Sequence, residues 1–158
     1  MHEHFNPFQG SALRIPEEYR NDIQELSRTR SDSGQPSEPD SSPFSRYVDV
    51  WFLALCIGAN MDVRVKLDPS TSHEFVTGVI FASDPWRVDF LQMLAIAETD
   101  DPDVVSDPGK VISIANDLAA TGLPTVLSMV REGHGKPIWN LSDAILRTLT
   151  ERSSPSAE

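Results

Sequence analysis

The chain has 158 residues, 39% of them hydrophobic, and its 24 acidic and 13 basic side chains give a formal net charge of −11. This length is typical of one domain with one core, and the negative charge disfavours generic binding to nucleic-acid phosphates. The single cysteine, Cys56, excludes an intramolecular disulfide and a thiolate zinc site, and it fits a reducing cytoplasm.

The first residues, "MHEHFNPFQG", lack the basic and apolar regions of a secretory signal, so we expect a cytoplasmic protein. Residues 1–12 are predicted to be a disordered N-terminus. Ile15, Tyr19, Ile23 and Leu26 recur at helical spacing, which predicts an amphipathic helix within residues 13–29. The next stretch is rich in serine and proline and has no large apolar residue, so residues 30–42 are predicted to be a flexible linker.

The most apolar stretch is "PFSRYVDVWFLALCIGANM", which predicts a core helix over residues 44–59. Ser42 is the expected N-cap, Pro43 fits the first helical position, and Gly58 and Asn60 are the expected terminators. The apolar run is about half the roughly 20 residues that a membrane span requires, so a membrane role is not expected.

Two short stretches, "VRVKL" and "FVTGVIF", have the composition of strands and predict one small β-hairpin. Asp84 and Pro85 then begin a second core helix over residues 86–98. "KVISIANDLAATG" and "LPTVLSMVREG" predict two further helices separated at Gly122 and Pro124, and "WNLSDAILRTLTER" predicts a last one. The expected fold is mainly α, with about five or six helices in a core domain over residues 43–152 and a disordered tail over residues 153–158.

Between the second core helix and the next one lies an acidic junction, defined by its four aspartates, Asp100, Asp101, Asp103 and Asp107. We expect a solvated loop that could contact a partner protein. A divalent cation is the alternative, but the loop lacks the glycine and the closing glutamate of a calcium loop. "DPGKVIS" lacks the second glycine and the hydroxyl of a phosphate loop, so no nucleotide site is expected.

Basic residues could form a second type of surface. Arg64, Lys66 and Arg87 would make a patch beside Trp86 if the hairpin packed on the second core helix, which would suit nucleic acid or an anion. Lys136 lies in "GHGKP", a glycine-rich loop that could also hold an anion. Ordinary solvated charges are the alternative for the patch, and a plain interhelical turn is the alternative for the loop.

No catalytic constellation is recognisable. His73 with Glu74 and His134 with Asp143 are the histidine pairings considered for acid–base work, and neither lies in a nucleophile or metal motif. Cys56 lies on an apolar helix, where a buried and inert thiol is expected. We therefore expect no catalytic residue, no resident metal and no cofactor.

The order of motifs resembles a known family. The succession of "RIPEEY", a polar spacer, "PFSRYVDVWFLALCIGANM", "DFLQMLAIAETDDPDVVSD" and "GLPTVLSMV" is similar to the DNA phosphorothioation-associated protein 4 family over about residues 13–150. Its members are small proteins encoded beside bacterial DNA sulfur-modification genes. The resemblance implies an accessory protein of DNA modification and the restriction or phage defence coupled to it, and it implies no catalytic residues.

Three hypotheses follow. The first is a non-enzymatic interaction protein that docks on another protein of a DNA modification or restriction system, with the acidic junction and the N-terminal segment as contacts and with DNA as an indirect partner. The second is a DNA-contacting module that uses Arg64, Lys66, Arg87 and Lys136. The third is an acidic mimic of DNA that inhibits a nuclease; an enzyme with a metal at the acidic junction is a further alternative.

Overall fold

A computed structural model describes residues 5–28 and 38–153. Its regular structure there consists of five α-helices, four short 3-10 helices and one small antiparallel sheet, which confirms a mainly α fold. The helices are α1 (Arg20–Leu26), α2 (Tyr47–Gly58), α3 (Pro85–Thr99), α4 (Pro108–Arg131) and α5 (Pro137–Ser153), and the strands are β1 (Ala12–Pro16) and β2 (Ser72–Thr77).

The centre of the domain is α4, a single helix of 24 residues. The prediction of two helices broken at Gly122 and Pro124 was therefore wrong. Gly122 lies where α4 crosses α2, and a Cβ there would overlap the carbonyl oxygen of Ala54. The glycine thus permits a close approach of the two helices. The proline at position 124 removes one backbone hydrogen bond, but the free energy gained by burying Leu123 and Val126 on either side of it outweighs that loss.

Helix α2 begins later than predicted. Its N-cap is Arg46, and Asp49 Oδ2 accepts a hydrogen bond from the Arg46 backbone N–H at 3.1 Å. Ser42 instead donates its hydroxyl to the Glu25 carbonyl at 2.7 Å. The backbone of Phe44 exchanges hydrogen bonds with α1 and the residues after it, so residues 43–45 are held beside the end of α1 rather than in a helix.

The predicted N-terminal helix is only partly correct. Residues 12–16 form β1 instead, because Leu13 and Ile15 are both fully buried and alternate with more exposed neighbours as a strand requires. β1 pairs antiparallel with β2, so the small sheet exists but its first strand is not "VRVKL". Asn116 of α4 fixes β1 by accepting from the Arg14 N–H and donating to the Ala12 carbonyl.

The chain segments next to the core also differ from the prediction. Phe8 is 1% exposed and makes an edge contact with Phe81, so residues 5–12 are part of the domain rather than a disordered terminus. Residues 38–42, predicted as the end of a linker, lie against α5 through the Ile138 N–H and the Asp40 carbonyl. Residues 1–4, 29–37 and 154–158 carry the rest of the predicted terminus, linker and tail and lie outside the described residues.

By length and hydropathy, α4 is the one helix in the described residues that could cross a membrane. In the structure, 78% of its apolar window is buried within the domain, which is the pattern of a core helix. Helices α2, α3 and α5 pack on it or next to it, and the acidic junction joins α3 to α4. The helix predicted over residues 86–98 corresponds to α3, but the helix that pairs with α2 at the centre is α4.

Candidate interaction site

The acidic junction is a compact connection whose aspartates have defined backbone roles. Asp100 ends α3 in the left-handed conformation, with φ of 54°. Asp101 caps a 3-10 helix (Pro102–Ser106), and its Oδ1 accepts from the Asp103 N–H at 2.9 Å. Asp107 caps α4, and its Oδ1 accepts from the Lys110 N–H at 3.0 Å. The aspartates of the junction therefore lie at successive helix ends, where aspartate is a preferred capping residue.

One apolar side chain ties this connection to the core. Val104 is 3% exposed, whereas Asp100, Asp103 and Asp107 on either side of it are exposed and Asp101 is partly buried. The junction thus presents its carboxylates to solvent from a backbone that is held by capping bonds and by burial of one side chain.

The junction carboxylates have no cationic partner within the described residues. Among the same residues, no group of three or more histidine, cysteine, aspartate or glutamate side chains is placed to hold a metal ion. The cation alternative for the junction therefore has no geometric support. The junction therefore carries four aspartates without a cationic partner in the described structure, in one short connection that is held by capping bonds.

Most of the basic residues predicted for nucleic-acid contact form ion pairs with carboxylates of the same domain. Arg64 pairs with Glu98 at 3.3 Å. Lys136 pairs with Asp40 at 3.2 Å and with Glu38 at 3.4 Å, and its hydrogen bond to Asp40 raises the pKa of its ammonium group. Lys66 is exposed and has no ion pair in the described residues. The four predicted cations therefore do not form a free basic surface.

Arg87 differs most from the prediction, because it is 7% exposed. Its Nη2 donates to Asp49 Oδ1 at 2.7 Å, and Arg46 Nη2 donates to the same oxygen at 3.0 Å. Asp84 Oδ2 lies 2.8 Å from Arg46 Nη1 and 3.8 Å from Arg87 Nε. We call Arg46, Asp49, Asp84 and Arg87 the arginine–aspartate cluster; it connects the first turns of α2 and α3.

Two aromatic rings complete the surroundings of Arg87. Its guanidinium carbon lies 4.8 Å from the ring centroid of Phe52 and 5.2 Å from that of Trp86. Burial alone would raise the pKa of Asp49, but hydrogen bonds from Arg46 and Arg87 hold that pKa below its usual value. The cluster is thus a neutral and paired structural unit with an exposed tryptophan at its edge.

Sequence reasoning missed this cluster, although a signal was present. "RYVD" and "DPWR" are mirrored pairs of opposite charge at i and i+3, and each spans the start of a helix. Each pair could satisfy itself locally. Only the packing of α2 against α3 shows that the two pairs are combined into one network.

The remaining candidate residues do not form a catalytic arrangement. His73 Nδ1 lies 3.5 Å from Glu17, an exposed carboxylate, rather than beside a nucleophile. His134 and Asp143 both line a groove of about 470 Å³ between α4 and α5, and no hydrogen bond joins them within the described structure. Burial raises the pKa of the Cys56 thiol, which lowers its thiolate fraction.

A second groove, of about 270 Å³, lies between β1 and the first half of α4. Its buried polar residues, Asn116 and Asp117, are already engaged with backbone N–H groups. Both side chains therefore have a structural role, since each holds a neighbouring chain segment against α4.

The chain matches a protein-family model over most of its length. The family described as DNA sulphur modification system-associated protein 4 matches residues 13–157. Searches of the curated proteins and of the solved structures find no match. The family match confirms the resemblance identified in the sequence. The chain therefore belongs to the DNA sulphur modification system-associated protein 4 family.

Proposed function

We propose that this chain is a non-enzymatic interaction protein, and that the acidic junction binds a basic surface of another protein of the DNA sulphur modification system. The observation that carries the proposal is the contrast in pairing. The junction aspartates have no cation among the described residues, whereas most arginines of the domain have a carboxylate partner. Association with the system follows from the family.

Fixed carboxylates favour binding because little conformational entropy is lost when a partner docks. The capping bonds of Asp101 and Asp107 already restrict the backbone, and burial of Val104 holds the connection against the core. A partner therefore meets preorganised charges.

The net charge of −11 adds a long-range attraction for basic surfaces to the local attraction of the junction carboxylates. A negative field around the whole chain steers a basic protein surface toward it and accelerates encounter, and added salt weakens that steering. The same field opposes direct DNA binding. The ion pairs of Arg64, Arg87 and Lys136 also remove the charges that a DNA contact would need.

The test compares two variants with the same change in charge. The junction variant replaces the four junction aspartates with asparagine, which can cap a helix and adopt the left-handed conformation as aspartate does. The control variant neutralises four other exposed carboxylates and carries the substitutions Asp89→Asn, Glu132→Gln, Asp143→Asn and Glu151→Gln.

Each variant is tagged and used to capture the purified modification and restriction proteins of the system, in the presence of a nuclease. We expect the wild type and the control variant to retain one protein stoichiometrically, and the junction variant to lose at least about tenfold in affinity because a charged contact is removed. Equal binding by both variants would contradict the assigned surface. Capture that disappears with nuclease would contradict a protein partner.

The DNA-mimic hypothesis is a competing explanation of the same carboxylates. It predicts that the wild-type chain inhibits the nuclease of the system in competition with DNA and that the junction variant does not. Binding without competition supports the docking role, whereas competitive inhibition would replace it with the mimic.

A further inference from the structure

The chain between α2 and β2 includes a segment, residues 63–67, that is neither helix nor strand and is exposed except at the partly buried Leu67. One edge of this segment is attached to α4. The Val65 N–H donates to Thr121 Oγ1 at 2.8 Å, and the Leu67 N–H donates to Asp117 Oδ1 at 2.8 Å. Thr121 and Asp117 are buried, so these two bonds fix the segment on the core helix.

The spacing of the two bonds fits an extended segment. Residues four apart on a helix are separated by about 6 Å along its axis, which nearly equals the span of about 6.6 Å across two residues of an extended chain. Val65 meets Thr121 and Leu67 meets Asp117, so the segment runs antiparallel to α4.

The opposite edge of the 63–67 segment is unpaired. In an extended chain alternate N–H groups point to opposite sides, so the N–H groups of Arg64 and Lys66 point away from α4. Neither group has an acceptor within the described part of the chain. An anchored and extended segment with one unpaired edge is a template for another strand.

The side chains alternate in chemistry as a half-buried strand would. Val63 is 73% exposed and Val65 is 51% exposed, which leaves two branched apolar side chains in solvent. Arg64 and Lys66 lie between and after them and are also exposed. Arg64 forms an ion pair with Glu98. Within the described residues, Lys66 is therefore the cation of this segment without an ion pair.

We propose that the 63–67 segment is a strand-addition site that binds an extended segment of another protein, with apolar residues facing Val63 and Val65 and acidic residues facing Arg64 and Lys66. Strand addition would satisfy the outward N–H groups and cover the exposed valines. The unpaired Lys66 favours an acidic partner segment.

A second copy of this chain fits less well. Antiparallel self-pairing that places Val65 opposite Val65 also places Arg64 opposite Lys66 of the other copy, and like charges directly opposite each other destabilise a sheet. This inference goes beyond the proposed function, because it concerns a surface of opposite charge to the acidic junction.

The first experiment tests the geometry of the full chain without any ligand. Amide hydrogen exchange followed by NMR should show protected amides at Val65 and Leu67 and unprotected amides at Arg64 and Lys66. Protection of all four amides would overturn the proposal, since the outward edge would already be paired.

The second experiment uses a synthetic peptide of alternating valine and glutamate as the probe. We expect it to shift the Arg64 and Lys66 amide signals and to slow their exchange, whereas a valine–lysine peptide should leave these two signals unchanged. Absence of any shift with the glutamate peptide would overturn the proposal. Signals that move with protein concentration alone would assign the surface to a second copy instead.

Two substitutions at one position separate backbone pairing from charge. Lys66→Pro removes an outward N–H without removing a bond to α4, and Lys66→Gln keeps the N–H but removes the charge. We expect Lys66→Pro to abolish peptide binding and Lys66→Gln to weaken it severalfold, with Val65 and Leu67 still protected in both. Unchanged binding by Lys66→Pro would overturn strand addition. The junction variant should bind this peptide normally, so failure here is distinguishable from failure of the proposed function.

Discussion

The arginine–aspartate cluster and the acidic junction both place aspartates at helix N-termini, but they use these residues in opposite ways. In the cluster, Asp49 receives two arginines and is mostly covered by packing between α2 and α3. In the junction, Asp103 and Asp107 face solvent without a cation in the described residues. The comparison shows that pairing and burial, rather than residue type, separate a charge that stabilises the fold from a charge that is available to a partner.

The largest effect is expected where the cluster is broken. Arg87→Ala leaves Asp49 partly buried with one arginine fewer and removes the contacts with Phe52 and Trp86, so we expect a loss of about 3 kcal/mol in the free energy of unfolding. Urea denaturation followed by circular dichroism measures it. The control is Arg64→Ala, whose exposed ion pair should contribute less than about 1 kcal/mol. Equal losses in the two variants would remove the distinction between buried and exposed charges.

The second effect concerns pH. The hydrogen bonds from Arg46 and Arg87 lower the folded-state pKa of Asp49, so its ionised form stabilises the protein above the ordinary aspartate pKa of about 4. That stability is lost as pH falls from there through the lowered folded pKa. We expect wild type to exceed Asp49→Asn by about 2 kcal/mol at neutral pH, with the difference shrinking below about pH 4. Denaturant unfolding of both proteins across this range measures the difference. A difference that stays constant would show that the charge of Asp49 does not contribute.

A smaller effect is expected at the junction, where capping is separable from charge. Asp107→Ala removes the acceptor of the Lys110 N–H and should cost about 1 kcal/mol, whereas Asp107→Asn should cost only a few tenths. Thermal and urea unfolding of the two variants give the comparison. A large loss with asparagine would mean that the negative charge of Asp107 stabilises the fold, which would weaken its assignment to a partner.

The smallest effect is expected at Lys136. Its partners Asp40 and Glu38 raise the pKa of its ammonium group, but all three side chains are exposed, so solvent screens the pairs. Lys136→Ala should leave the urea midpoint unchanged within experimental error. A clear shift of the midpoint would show that residues 38–40 are held to α5 mainly by this lysine.

Local patterns predicted much of the helical architecture. α2, α3 and α5 were all identified from apolar spacing, and Pro85 begins α3 as expected. The prediction was wrong where tertiary contacts override local signals. α4 continues through Gly122 because α2 approaches closely there, and residues 12–16 are a strand because β2 and Asn116 lie beside them.

The candidate site shows the same limit. Proximity in sequence identified the junction carboxylates, because all four lie in one short connection. Sequence could not show that Arg87 is buried, since its partner Asp49 belongs to another helix and is distant in the chain. It also could not show that the 63–67 segment lies on α4 rather than in a hairpin, because Thr121 and Asp117 supply the acceptors.

The most direct test of the docking role is the salt dependence of affinity for the protein that the chain captures. Titration calorimetry of the wild type and the junction variant should be carried out at low and high salt. We predict that the wild type binds tightly at low salt and weakens as salt rises, while the junction variant binds weakly at both. An affinity of the wild type that is insensitive to salt, or a junction variant that follows the wild type at both concentrations, would contradict the assignment of the acidic junction as the docking surface.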